Sequence, residues 1–215
     1  MSSDQEVWVE QGILETKYED GQLCRQQFRD GKRHGKCEIW SANGKLTVQE
    51  FYINGELDGE RKEWYENGQL GEQEYYRNGK LEGEFKAWYR NGQLQVRGFC
   101  QDDAEKGELK IWHENGQLEG YGFYHDGKPE GKFQYWHEDG RPHKQIFYSD
   151  GRNSGKYKVW CERGIIKYQF SKICDWNGKY TLAFMNIRKC FFSRRSSPVF
   201  NLFIIPDLLK FSNII

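Results

Sequence analysis

Residues 83–94, GEFKAWYRNGQL, decide how this chain is read. The phrase returns, lightly changed, at 59 (GERKEWYENGQL), 107 (GELKIWHENGQL), 131 (GKFQYWHEDGRP) and 155 (GKYKVWCERGII). Its tryptophan falls at Trp40, Trp64, Trp88, Trp112, Trp136 and Trp160, a constant step of 24 residues. Gly35, Gly59, Gly83, Gly107, Gly131 and Gly155 keep the same step. So do Gly44, Gly68, Gly92, Gly116, Gly140 and Gly164. A fourth column, Gly31, Gly55, Gly79, Gly127 and Gly151, is broken only by Asp103. Columns held in step over such a length mark a repeat array, and that outranks every local motif.

Each unit carries two turn signals, as at Asn78-Gly79 and Asn91-Gly92. Asn-Gly and Asp-Gly favour two-residue type I′ hairpins, because both central residues need positive φ. Two turns per 24 residues imply two strands per unit, and no stretch has helical period. The expected fold is all-β: an elongated antiparallel β-hairpin ribbon, running as a meander of 24-residue two-strand units. A two-residue turn at Asn91-Gly92 places Tyr89 opposite Leu94, Ala87 opposite Val96 and Phe85 opposite Gly98 on one face. Trp88 then lies on the other face with Lys86, Arg90 and Gln95. The Trp column becomes a stripe suited to partner binding, and Tyr65, Tyr89, His113 and His137 form a ladder on the opposite face. The Gly59 and Gly83 column is expected to open the wider turn in GELDGE and GKLEGE, through positive φ or a close approach to an aromatic ring.

The unit G-[EK]-[FY]-K-x-W-Y-x-N-G-Q-L…Y-Y-x-[ND]-G-K-x-x-G resembles the MORN repeat. It is closer to the shorter variant seen in bacterial antitoxin-like proteins and in large DNA viruses. The resemblance covers about residues 18–184, most clearly 35–164. It implies a β-hairpin ribbon that binds proteins, associates with itself or meets membranes, and that is not itself an enzyme. Residues 1–17 read as a divergent N-terminal half-repeat, with Val7-Trp8-Val9 echoing Val159-Trp160-Cys161. The array proper runs over 18–184. Residues 185–215 are a non-repeat tail, first basic and then apolar.

The formal charge is zero but unevenly shared. Arg188, Lys189, Arg194, Arg195 and Lys210 against Asp207 give residues 185–215 a charge of +4, so the remainder carries −4. An acidic body argues against nucleic acid as a partner. The tail's Arg188, Lys189, Arg194 and Arg195, beside apolar residues, are the candidate membrane contact. Pro206 and Asp207 could open a short helix. No stretch reaches the length of a membrane span, and the N-terminus lacks the pattern of a signal peptide. Six cysteines without CxxC or zinc spacing read as reduced structural thiols of an intracellular, cytoplasmic protein.

No catalytic residue, cofactor or metal site is expected. His113-Glu114 and His137-Glu138 are not HExxH, because Gln117 and Arg141 stand where a second histidine would. Gly120-Tyr121-Gly122 is a lone GxG in a strand and implies no dinucleotide. The expectation is a non-catalytic scaffold that binds a protein partner, with a second copy of the chain, a membrane surface and antitoxin-like neutralisation of a partner as alternatives.

Overall fold

In the computed structural model, residues 11–160, 166–174 and 180–184 are described. They form 18 strands and contain no helix. The expectations for residues 1–10 and for the tail, including Arg188, Lys189, Arg194, Arg195 and a helix from Pro206, concern positions outside these residues. Successive long strands pair antiparallel, from Gln11–Lys17 on Leu23–Arg29 to Ile166–Cys174 on Tyr180–Phe184, and the two-residue strands Glu56–Leu57, Lys80–Leu81 and Ala104–Glu105 each share their partner with the strand that follows them. The ladder is therefore a meander built from 24-residue units.

Only one of the two turns per unit is type I′. At Asn54-Gly55 and Asn78-Gly79 both residues have positive φ, 53° and 96° in the first, as that turn requires. At Asn91-Gly92 only the glycine does. There Tyr89 N–H donates to the Gln93 carbonyl and Gly92 N–H to the Tyr89 carbonyl, both at 2.8 Å. The loop thus has three residues, with glycine forming a bulge. The Asn91 side chain explains the preference: its Oδ1 accepts Gln93 N–H at 2.9 Å, and its Nδ2 donates to the Glu114 carbonyl of the next unit at 2.8 Å. Leu94 consequently pairs with Trp88, not with Tyr89. A register shift before Val96 then restores the expected pairs Ala87–Val96 and Phe85–Gly98.

The stretch GELDGE holds no wide turn. Strand Glu56–Leu57 continues into Gly59–Trp64 through a bulge, and Asp58 N–H still donates to the Phe51 carbonyl at 2.8 Å. Gly83, at the same place one unit on, has φ 117°, and a Cβ there would lie 3.5 Å from that of Tyr75. Positive φ, the first reason expected, holds at Gly35, Gly59, Gly83, Gly107 and Gly131, whereas an aromatic side chain approaches only Gly59 and Gly83 among these. Asp103, the lone departure from the turn-glycine column, keeps positive φ at 66° and accepts Leu81 N–H at 2.7 Å, so its side chain offsets backbone strain.

The array also begins earlier than its tryptophans suggest. Tyr18 to Gln22 form a turn of the Gly92 kind, with Asp20 Oδ1 accepting Gln22 N–H at 2.9 Å. The following strand, Leu23–Arg29, has 7 residues where Leu46–Ile53 has 8. One missing residue accounts for the step of 23 from Gly21 to Gly44, one short of the 24 that separates the later turn glycines.

The two faces differ. One carries Cys37, Cys100, Phe133 and Ile146, all buried. Large side chains there lie over glycines: Phe85 over Gly98, and Phe133 over Gly122. Phe133 also meets Tyr124 and Tyr148 edge-on, at centroid distances of 5.4 and 5.0 Å. The glycines of Gly120-Tyr121-Gly122 thus serve ring packing. Where the next units place Phe85, Leu109 and Phe133, one unit places Arg61, whose guanidinium reaches Glu50, Glu63, Glu72 and Glu74. Burial pushes the Cys100 thiol up to about 12, so it stays neutral and inert.

Candidate functional site

The opposite face is open, and it presents two aromatic stripes. Within strand Gly83–Trp88, Glu84, Lys86 and Trp88 alternate onto it. Glu84 pairs with Phe99, which shares the face. The second stripe is the column Phe51, Tyr75, Phe99, Phe123 and Phe147, again in steps of 24. Tyr75, Phe99 and Phe123 are 39%, 43% and 43% exposed. The Trp column lies on the same face, on the far side of the Lys and Glu rows, and is half-buried throughout. Leu46, Leu70, Leu94, Leu118, Pro142 and Ile166 are the cross-strand partners of successive tryptophans. The more exposed stripe was legible as a sequence column. Its exposure was not, because exposure depends on which face the ribbon covers.

Between the stripes runs a ladder of ion pairs: Lys62–Glu60 at 2.6 Å, Lys86–Glu84, and Lys110–Glu108 at 2.9 Å. Hydrogen bonds from Lys86 hold the Glu84 carboxyl below the usual carboxylate range. Such half-exposed pairs add little stability, but they fix the side chains of the face.

Tyr65, Tyr89 and His113, the residues of the expected ladder, each contact the backbone of the next unit. They lie at the turns and bridge units. The Tyr65 hydroxyl donates to the Trp88 carbonyl at 2.6 Å, and Tyr89 to the Trp112 carbonyl at 2.7 Å. His113 Nε2 lies 3.0 Å from the Trp136 carbonyl. Removing the Tyr89 hydroxyl (Tyr89→Phe) is expected to cost about 1 kcal/mol of stability, read from the urea midpoint. An unchanged midpoint would show that the bridge contributes nothing.

His137 stacks on His143 at 4.3 Å between centroids, beside a cleft of about 630 Å³ that Trp136 and Lys144 also line. Burial, then His137 and Lys144, hold the His143 imidazole below its ordinary value. The folded chain therefore binds this proton less readily than the unfolded chain, so the contribution is present above a histidine's usual pKa of about 6.5 and is lost as pH falls. Stability should drop from pH ~7 to ~5, and His143→Gln should flatten that drop. An equal slope in both chains would assign the acid sensitivity elsewhere. Among the described residues no group of three or more His, Cys, Asp or Glu is placed to hold a metal.

A profile of the MORN repeat variant matches residues 33–54, 57–78, 71–85, 81–99, 105–128 and 129–150. The chain belongs to the MORN-repeat-variant family. MORN repeats generally serve as protein- or membrane-binding scaffolds and are generally non-enzymatic. No curated protein matches this MORN-variant chain. Among solved structures, a porin-like protein from Bacteroides uniformis is similar at 9% identity, covering 80% of this chain and 92% of that one. Its TM-score of 0.20 is too low to carry an argument. No helix among the described residues is long and apolar enough to cross a membrane.

Proposed function

We propose that this MORN-variant chain is a non-catalytic scaffold that holds a protein partner against the open face of its ribbon. The observation that carries this reading is the stripe Tyr75, Phe99 and Phe123, exposed in consecutive units. Large rigid rings give contact area at low entropic cost, and anchors of this kind dominate binding energies. Successive rungs lie about 10 Å apart, so one partner segment can meet several rings at once. The Trp column flanks the same surface and extends it. The ion-paired ladder between the stripes supplies a polar, pre-ordered floor.

The test is affinity capture from the native cell with three chains: full length, a chain ending at Phe184, and the double variant Phe99→Ala/Phe123→Ala. A discrete partner should be retained by the first two and lost by the third. Partners kept by the double variant would sink the reading. Partners lost with residues 185–215 would move binding to the tail and leave the ribbon as a spacer.

A further inference from the structure

The ion-paired ladder of the open face stops short of the C-terminal units. The column that carries Glu60, Glu84 and Glu108 continues as Lys132 and Lys156. The neighbouring column, Lys62, Lys86 and Lys110, continues as Gln134 and Lys158. Lys132 pairs directly with Phe147 across the strands, and Lys158 pairs with Gln145 on the same face. Lys156 stands two residues before Lys158 on strand Arg152–Trp160 and so shares that face. Lys132 and Lys156 are exposed. Among the described residues none of the three has an ion-pair partner, whereas Lys62, Lys86 and Lys110 each do. Two acidic groups at this end have other partners: Glu130 Oε2 accepts Asp150 N–H at 2.7 Å, and Asp150 meets Lys128 at 3.0 Å. Among the described residues, three ammonium groups without an ion-pair partner thus lie around Phe147, with Phe123 one unit away and Trp136 across the face.

We infer that this end of the open face binds an acidic peptide segment that carries an aromatic side chain. The inference rests on the scaffold reading and names the chemistry of the partner. Lys156 and Lys158 lie about 7 Å apart along their strand, and Lys132 lies about 10 Å away across two strand spacings. Carboxylates on alternate residues of an extended peptide have the first of these separations. The partner's aromatic ring would then rest against Phe147 or Phe123, where ring pairs add to simple burial. The tail of this chain is excluded as occupant by its own positive charge, and the paired units nearer the N-terminus offer no comparable cationic surface.

The experiment titrates a fluorescent copolymer of Glu and Tyr into the full chain and follows anisotropy. Three parallel titrations use a Glu–Ala copolymer, oligothymidylate, and phosphatidylserine vesicles. The Glu–Tyr copolymer should bind best, and weaken as salt rises. Lys132→Glu/Lys156→Glu/Lys158→Glu should weaken it roughly tenfold or more. The charge-matched variant Lys17→Glu/Lys32→Glu/Lys45→Glu, at three exposed lysines of the N-terminal units, should bind within about threefold of the parent. Phe147→Ala should reduce the preference for Tyr over Ala copolymer. Circular dichroism checks folding, and the milder Lys132→Gln/Lys156→Gln/Lys158→Gln should show the same direction of effect. Absence of copolymer binding, or binding indifferent to the three lysines, would overturn the inference. Stronger lysine-dependent binding of oligothymidylate or vesicles would also overturn it, since the patch would then be a phosphate surface. Capture of a partner that depends on Phe99 and Phe123 but not on these lysines would leave the scaffold reading standing while this one fell.

Discussion

Gly122→Ala is expected to lower the stability of the ribbon by about 2–3 kcal/mol. A Cβ at this position would lie 2.1, 2.3 and 2.5 Å from three ring carbons of Phe133. Those distances are far inside van der Waals contact, so something must move. Phe133 cannot move cheaply, because it is only 5% exposed and is wedged between Tyr124 and Tyr148. The control is Gly120→Ala, two residues away on the same strand and face. A Cβ there would lie 3.3 Å from the Tyr135 ring, a contact that a small shift relieves. Its cost should stay below about 1 kcal/mol. Combining Gly122→Ala with Phe133→Leu should cost less than the two changes summed, which a double-mutant cycle in urea measures directly. Equal losses at Gly120 and Gly122, or strict additivity with Phe133, would refute the packing account.

The second large effect is expected at Arg61. Its side chain is 19% exposed and its guanidinium lies 3.1 Å from Glu50 and 2.8 Å from Glu74, with Glu63 and Glu72 also in reach. Burial opposes the charge, and the hydrogen bonds to Glu74 and Glu50 outweigh that opposition. The network extends further: Tyr52 donates to Glu50 at 2.8 Å, and Tyr76 to Glu74 at 3.1 Å. Burial and those carboxylates push both phenols up to about 12. Arg61→Met removes the guanidinium that these carboxylates surround and should cost about 3 kcal/mol at neutral pH. Acid should shrink the loss, because protonated carboxyls no longer need the guanidinium. The neighbouring unit supplies a rescue. There Phe85 packs over Gly98, so Arg61→Phe with Glu74→Gly imports an apolar pair that the fold already accommodates. The double variant should recover part of the loss. A cost under ~1 kcal/mol, or one that does not change with pH, would show that the network is solvated and marginal.

The same two sites show how much could be read from the chain. The pairs Phe85–Gly98 and Ala87–Val96 follow from counting outward from Asn91-Gly92, since antiparallel pairing is local. They survive an incorrect turn type because one bulge compensates for one extra loop residue. The pairing Tyr89–Leu94 did not survive. Sequence favours type I′ for Asn-Gly, but here the Asn91 side chain finds an acceptor at Glu114 in the next unit, and a dipeptide rule does not include that neighbour. The Trp column was legible as a stripe on one face. That Phe99 and Phe123 are the more exposed rings was not, although their 24-residue column was in plain view.

By itself the sequence determined the all-β class, the 24-residue unit, the meander, most cross-strand partners and the family. Each follows from turn chemistry and the two-residue period of a strand, which act over a few residues. Only the tertiary structure decided which face is buried, why Gly98 and Gly122 lack side chains, and how Tyr89 reaches a carbonyl 23 residues on. Those outcomes depend on how side chains of neighbouring strands and units meet in space. No single unit holds both partners of such a contact, so it becomes visible only when the units are stacked.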